Sequence, residues 1–306
     1  MTRPARRSPA EPRAAQKAGG DAAEAPERIA KRLARAGIAS RRDAERMIAD
    51  GRVRLNGRRL DTPAVTVTAA DRIEVDGRAL PEPEAARLWR YHKPAGLVTT
   101  ARDEQGRPTV FDRLPETLPR VMSVGRLDLA SEGLLLLTND GALKRRLELP
   151  STGWLRRYRV RVHGTPDAAM LAPLEKGITV DGEHFQPMQV ALDRQQGANA
   201  WLTVGLREGR NREIRRAMEH VGLSVNRLIR LSYGPFQLGD LAPGAVEEVR
   251  PKVLADQLGT RPKPPAKKLP PKAPLARSRA GAKPGAKAGV KPGAKPGAKP
   301  GRGGRA

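Results

Sequence analysis

One carboxylate is placed where it could do chemistry. Asp128 lies in the run GRLDLASEGLLLLTNDG, residues 125–141, between a Gly-Arg pair and four consecutive leucines. An acid tethered beside a buried strand can act as a nucleophile or a general base. Taken alone, an aspartate in a loop is more often a turn residue or a helix cap. Other routes to catalysis are closed. The chain has no Cys, which removes thiol nucleophiles, thiolate metal sites and disulfides. His92, His163, His184 and His220 show no ligand-like spacing and have no carboxylate cluster beside them, so no metal is expected. No Gly-x-Gly-x-x-Gly joins a strand to a helix, and no Gly-x-x-x-x-Gly-Lys-Ser/Thr occurs, so neither a dinucleotide nor a nucleoside triphosphate is supported. Any catalysis must run on side chains alone, without a cofactor.

The elements that would hold Asp128 can be read from patterning. An apolar stretch at Leu88 to Tyr91 leads through a Lys93-Pro94-Ala95-Gly96 turn to a strand expected at Leu97 to Thr99, and Val121 to Val124 leads into the Asp128 block. The four leucines predict a short buried strand, with Asn139-Asp140-Gly141 as the turn before a helix that Pro150 ends. Tyr158, Val160 and Val162 alternate with charged residues, so one face of that strand is apolar and the other charged. Thr165-Pro166-Asp167 predicts a helix through about Glu175 with proline at its first position. Alternation at Ile178 to Phe185, Met188 to Leu192 and Trp201 to Leu206 adds three or four strands, and Ile214, Ala217, Met218 and Val221 give a helix closed by Gly222. Strands outnumber helices without regular alternation, which predicts an α+β domain on a largely antiparallel sheet.

Composition divides the chain further. Of the 306 residues, 58 are Lys or Arg and 33 are Asp or Glu, a net charge of +25. Most of that excess is terminal: residues 261–306 carry +14 with a repeated KPGAK, whereas 24–260 carry only +8. Such tails have too little to bury to offset the entropy of ordering, so 1–25 and 256–306 are expected to be disordered. All nine aromatics lie between Trp89 and Phe236. A small aromatic-free domain over 26–82 and a larger one over 87–255 follow. A cationic surplus favours a polyanion, because each neutralised phosphate releases counterions. The longest aliphatic run, Leu134 to Leu137, is far too short to span a membrane, and Met1 to Arg28 has no apolar core for a signal peptide. A soluble, cytoplasmic protein is expected, with nucleic acid as partner.

In the small domain Ile29 and Leu33 mark one helix, which Gly37 ends. Ser40 opens a second, with Asp43 three residues on as in a capping box and Ala44, Met47 and Ile48 as its apolar stripe. Asn56-Gly57 and Asp76-Gly77 are hairpin signals for a small sheet. Eleven basic residues lie between Arg28 and Arg59, enough to move the reading from a solvated face toward phosphate binding. The run RLARAGIASRRDAERMIADGRVRLNG resembles the RNA-binding module named after ribosomal small-subunit protein S-four, over nearly all of 27–75. By that resemblance Arg41, Arg42, Arg46 and Arg52 are the expected RNA contacts.

Five blocks of the larger domain carry a second resemblance: YHKPAGLVTT with GRPTVFDRLP, the Asp128 block, RRYRVRVHG, LREGRNREIRRAMEHVG, and RLIRLSYGPFQLGDLAPG. In order and spacing, over about 27–250, they are similar to the pseudouridine synthases of ribosomal RNA. The fused N-terminal module and GRPTVFDRLP look like the B-type bacterial large-subunit members. The resemblance implies an isomerase that converts a uridine of 23S ribosomal RNA to pseudouridine without a cofactor. It places the family's aspartate at Asp128, its active-site tyrosine at Tyr158 with Arg156 at the basic position before it, and its basic residue at Arg215. Arg215 would hold Asp128 ionised and oriented, since a guanidinium within about 4–6 Å stabilises a carboxylate. Tyr158 would stack on a flipped base and could move a proton. Glu213 stands where glutamine is common. Two other readings remain: a non-catalytic RNA-binding ribosome assembly factor, and the same chemistry on small-subunit RNA. A monomer acting on ribosomal RNA or its precursor particle is expected, with no membrane and no protein partner inferred.

Overall fold

The computed structural model describes residues 25–259. The tails expected at 1–25 and 256–306 lie almost entirely outside the described residues. Near the second boundary, ordered helix runs to Leu258, past the 255 read from composition.

The N-terminal module begins with β1 (Glu27–Arg28), α1 (Ile29–Arg35) and α2 (Arg41–Ala49). It continues with β2 (Val53–Leu55), β3 (Arg58–Arg59), β4 (Thr66–Val67), β5 (Ile73–Val75) and β6 (Arg78–Ala79). Ser40 caps α2, its hydroxyl oxygen accepting the Asp43 N–H at 3.1 Å. Asn56 and Asp76 take the positive φ that both hairpin turns require. Strands β3-β2-β5-β6 form one antiparallel sheet, and β1 pairs with β4. Ile29, Leu33, Ile48 and Val53, all fully buried, centre a core drawn wholly from this module.

The larger region is built on one long sheet. Its strands are β7 (Leu88–Lys93), β8 (Met122–Val124), β9 (Ser131–Thr138), β10 (Arg156–His163), β13 (Gln189–Gln196), β14 (Asn199–Leu206), β15 (Ser224–Tyr233), β16 (Phe236–Gln237) and β17 (Val246–Glu248). A separate hairpin joins β11 (Ile178–Val180) to β12 (Glu183–Phe185). The helices are α3 (Gly141–Glu148), α4 (Ala168–Lys176), α5 (Glu213–His220) and α6 (Pro251–Leu258). Strand order is β13-β14-β10-β15-β9-β7-β17, with β16 on β15 and β8 on β9. Every pairing is antiparallel except β15 with β9, so the molecule is α+β with a mainly antiparallel sheet. No described helix is long and apolar enough to cross a membrane.

Two strands show how burial writes the sequence. In β9 all four leucines, Leu134 to Leu137, are fully buried because both faces are covered. Leu135 and Leu137 join the core beneath α4 and α5; Leu134 and Leu136 join the one beneath α3 and α6. In β10 only Tyr158, Val160 and Val162 enter a core, and Arg157, Arg159, Arg161 and His163 remain exposed. Gly133 permits the parallel pairing of β9 with β15. It sits at φ +100°, and a Cβ there would come within 2.4 Å of the Arg230 carbonyl oxygen.

Two local expectations need correction. No strand forms at 97–99: Val98 makes a single bridge, its N–H donating to the Pro108 carbonyl and its carbonyl accepting the Val110 N–H, and the ladder goes no further on the Gly96 side, where the N–H donates to the Leu129 carbonyl of the Asp128 loop. Pro166 is not the first residue of its helix. Asp167 takes the cap, its Oδ1 accepting the Met170 N–H at 2.8 Å, and α4 starts at Ala168.

Candidate active site

Asp128 lies on the loop 125–130, between β8 and β9, and the backbone there is held almost atom by atom. The Gly125 N–H donates to Glu148 at 2.7 Å, and the Thr99 hydroxyl donates to the Leu127 carbonyl at 2.8 Å. Lys93, completely buried at the end of β7, directs its ammonium at the carbonyls of Asp128 (3.1 Å), Ser131 (2.8 Å) and Pro94 (3.0 Å). Gly96 N–H takes the Leu129 carbonyl at 2.8 Å, and Arg215 Nη2 takes that of Ala130 at 3.2 Å. Each carbonyl from Leu127 to Ser131 therefore has a donor. A loop so satisfied presents its side chain without having to reorganise during reaction. Burial pushes the Lys93 ammonium down to about 8, against the pull of Asp128 and Glu132.

The side chain of Asp128 lines a cleft of about 260 Å³. Tyr158 faces the same cleft from β10, 8% exposed, as do Arg230 from β15 and Glu213 from the start of α5. Neighbouring cavities that also include Asp128 extend past Arg120, Arg126, Lys144, Arg210 and Arg212, giving the opening a basic rim. Arg212 holds φ +50° at the α5 cap, a conformation costly for a residue other than Gly, Asn or Asp.

Arg215 is placed otherwise than expected. It does not line the cleft, and among the described residues it makes no ion pair with Asp128. Its guanidinium donates to the carbonyls of Ala130 and Val225, joining the Asp128 loop to the start of β15. Burial and the neighbouring Arg212 disfavour its charge; Asp128 opposes them. Arg156 likewise braces the cleft wall, donating to the carbonyls of Arg207 and Glu208 and to the Tyr233 hydroxyl.

Sequence reasoning passed over two cations. Lys93 is seen only as part of a turn, and Arg230 only inside a motif. Arg230 is 3% exposed; its Nε donates to the Leu134 carbonyl at 2.7 Å while its buried Nη2 has no partner. A cation in the middle of alternating apolar positions, as in Leu228-Ile229-Arg230-Leu231, is the signal that could have marked it. Glu213, flagged only as a departure, is 3% exposed with Oε1 unpartnered and Oε2 accepting the Arg210 N–H at 2.9 Å. Burial, opposed by that N–H and reinforced by Glu208, raises it to about 7.

This fold and cleft have counterparts. The family model for RNA pseudouridylate synthase matches residues 87–220, and that for the S4 domain matches 27–73. A protein of Rickettsia felis described as an uncharacterized RNA pseudouridine synthase is 47% identical over 228 residues, which are 74% of this chain and 99% of that protein. The chain belongs to the RNA pseudouridine synthase family. Its members are isomerases. The ribosomal large subunit pseudouridine synthase B of Shigella flexneri is 43% identical over 218 residues, 69% of this chain and 75% of that one. The enzyme of the same description from Pasteurella multocida is 43% identical over 230 residues, 73% and 67% of the two chains. A crystal structure of a pseudouridylate synthase superposes with a TM-score of 0.53 at 25% identity, covering 75% of this chain and 99% of that one. The family match begins at β7 and takes in Lys93, Asp128, Tyr158 and Arg215. The RNA-binding family match covers the module core from Ile29 to Ile73.

Proposed function

We propose that this synthase converts a specific uridine of large-subunit (23S) ribosomal RNA to pseudouridine, with Asp128 as the catalytic carboxylate. The observation that carries the reading is the clamped loop that presents Asp128 to a cleft shared with Tyr158. The reaction breaks the C1′–N1 bond, turns the uracil, forms a C1′–C5 bond, moves a proton off C5 and leaves one on N1. Nothing is oxidised or reduced. A carboxylate fixed in this way can attack the sugar, attack the base or take a proton from the sugar. Each needs the uridine outside the helix, since a stacked base offers no access to its glycosidic bond. Tyr158 supplies the flat wall against which the base stacks, and its hydroxyl is within the cleft chemistry as a proton carrier. Arg215 and Lys93 position Asp128 through its backbone.

The RNA backbone is gripped by the N-terminal module and the cleft rim. Arg41 and Arg42 are exposed on the first turn of α2. Arg46 and Arg52 are exposed too, each holding an aspartate, Asp43 and Asp76, that a phosphate would replace. Large-subunit RNA is preferred as substrate because the B-type relatives named for it match at 43% identity across both regions. The protein acts as a cytoplasmic monomer. Mapping pseudouridine in the ribosomal RNA of a strain lacking the gene tests the proposal. One missing modification in 23S RNA, restored by the wild-type gene and not by Asp128→Asn, is expected; an unchanged map overturns it.

A further inference from the structure

Among the described residues, nothing covers half of one face of the long sheet. On that face α3 and α6 pack over β9 and β7 through Leu88, Leu134, Leu136, Leu143, Leu147 and Leu254. Beyond β15 the same face carries polar side chains. Strand β10 presents Arg157, Arg159, Arg161 and His163, all exposed and all pointing away from the side on which Tyr158 meets the cleft. The pairing register sets Thr203 and Trp201 of β14 opposite Arg159 and Arg161, and Arg194 of β13 opposite Trp201. The charged half of the β10 alternation is thus not a scattered solvated surface. It forms one row on a rigid platform.

The row is short of counter-charge. Among the described residues Arg157, Arg159, Arg161 and Arg194 make no ion pair. Two acids lie on the same face without pairing with the row: Asp193 accepts the Thr203 hydroxyl at 2.9 Å, and Glu132 pairs with Arg227 at 2.8 Å. Arg159 lies over the Trp201 ring at 4.6 Å, so the one aromatic of the patch is held flat beneath a cation. Beside Arg157 a groove of about 540 Å³ is floored by Gly205 and Thr203 and flanked by Gln189 and Ala191, with Glu175 at its edge. Arginines two apart on a strand recur about every 6.6–6.8 Å, a repeat that successive phosphates of an extended strand can follow.

We infer that this bare face is a second RNA-binding surface, which holds the phosphate backbone of a strand flanking the target uridine and stacks a base on the Arg159 guanidinium where it lies over Trp201. It lies on the opposite side of the sheet from Asp128, so its occupant is not the nucleotide in the cleft. Repeated arginines, one of them stacked on an aromatic, suit single-stranded RNA, where grip comes from phosphates and stacking without sequence readout. The row offers no apolar anchor of the kind a membrane surface needs. The inference rests on RNA being the substrate and does not depend on the role of Asp128.

The test uses the full chain and a triple variant, Arg157→Gln, Arg159→Gln and Arg161→Gln, with Trp201→Ala made separately. All four positions are at least partly exposed, and circular dichroism melting checks that the fold persists. Probes are oligouridine of about thirty nucleotides, oligouridine of about five, and polyglutamate. For the long probe the triple variant should lose about tenfold or more in affinity. The slope of log affinity against log salt should become shallower by about two, since single strands release roughly 0.7 counterion per neutralised phosphate. Trp201→Ala should lose about 5- to 100-fold at an unchanged slope, the range that loss of one stacked base gives. The short probe, which still offers three successive phosphates to the row, should lose affinity for the triple variant in the same direction. Equal affinities and slopes for the long probe overturn the inference. So does a wild-type preference for polyglutamate that the triple variant loses, which would make the face a protein-binding one. Asp128→Asn should bind both RNA probes as the wild type does, so failure of the catalytic assignment leaves this result readable.

Discussion

Arg215 makes no ion pair with Asp128 among the described residues; it hydrogen-bonds the main chain of the loop that carries the acid. The guanidinium of Arg215 ends 3.2 Å from the carbonyl oxygen of Ala130, two residues beyond the acid, and 3.1 Å from that of Val225. One side chain therefore ties the loop bearing Asp128 to the strand bearing Arg230. Lys93 grips the same loop, so one buried and one half-buried cation hold its backbone.

Arg215 should accordingly behave as a positioning residue. Arg215→Ala leaves one part-buried and one exposed carbonyl without this donor, a loss of about 1.5–3 kcal/mol for hydrogen bonds to a charged group. Turnover should fall about 10- to 100-fold with RNA affinity nearly unchanged, and Arg215→Lys should recover part of it. Hydrogen exchange of the amides at 127–131 should quicken in the alanine variant. Unchanged exchange with lost turnover would instead place the guanidinium in direct contact with substrate.

Asp128→Asn should abolish isomerisation while leaving RNA affinity within about threefold. Amide and carboxylate are near isosteres, but only the carboxylate can serve as nucleophile or base. Tritium released from RNA labelled at C5 of uridine measures it. Residual activity above about 1% would remove Asp128 from the central role.

Glu213 should make stability depend on pH in a defined direction. Its carboxyl is raised from 4.5 to about 7, so over that window the folded chain keeps a proton that the unfolded chain has lost. Stability from the neutral acid is whole below about pH 4.5 and is lost as pH rises through about 7. Glu213→Gln keeps an acceptor for the Arg210 N–H and carries no charge. Urea unfolding should show it more stable than wild type by about 1–2 kcal/mol at pH 8 and nearly equal at pH 4.5. An equal difference at both pH values would show that Glu213 titrates alike in the folded and unfolded chain.

Removing residues 26–82 should weaken RNA binding and blur site selection while the remainder still unfolds cooperatively. The module's core runs from Ile29 to Val75, whereas the two other cores draw only on residues from Leu88 onward. A fragment that melts without a cooperative transition would show that the division near 82–87 is not one between domains.

Local pattern determined much of this protein. The Ser40 cap, the Asn56-Gly57 and Asp76-Gly77 turns, the leucine strand and the alternation of β10 all follow from short-range sterics and from which faces are buried. Asp128 and Tyr158 lie on the loop and the strand that the pattern predicts, and both line one cleft. Tertiary structure alone decided what the cations do. Lys93, Arg215 and Arg230 reach carbonyls 35 to 96 positions away in the chain, and periodicity holds no information about partners brought together by β7, β9 and β15. The same limit hid Glu213, whose raised pKa comes from being enclosed at the cleft wall beside Glu208. It also hid the bare arginine face. Alternation shows that one side of β10 is charged, but only the sheet order shows that the charges lie in a row with Trp201 and that no helix among the described residues covers them.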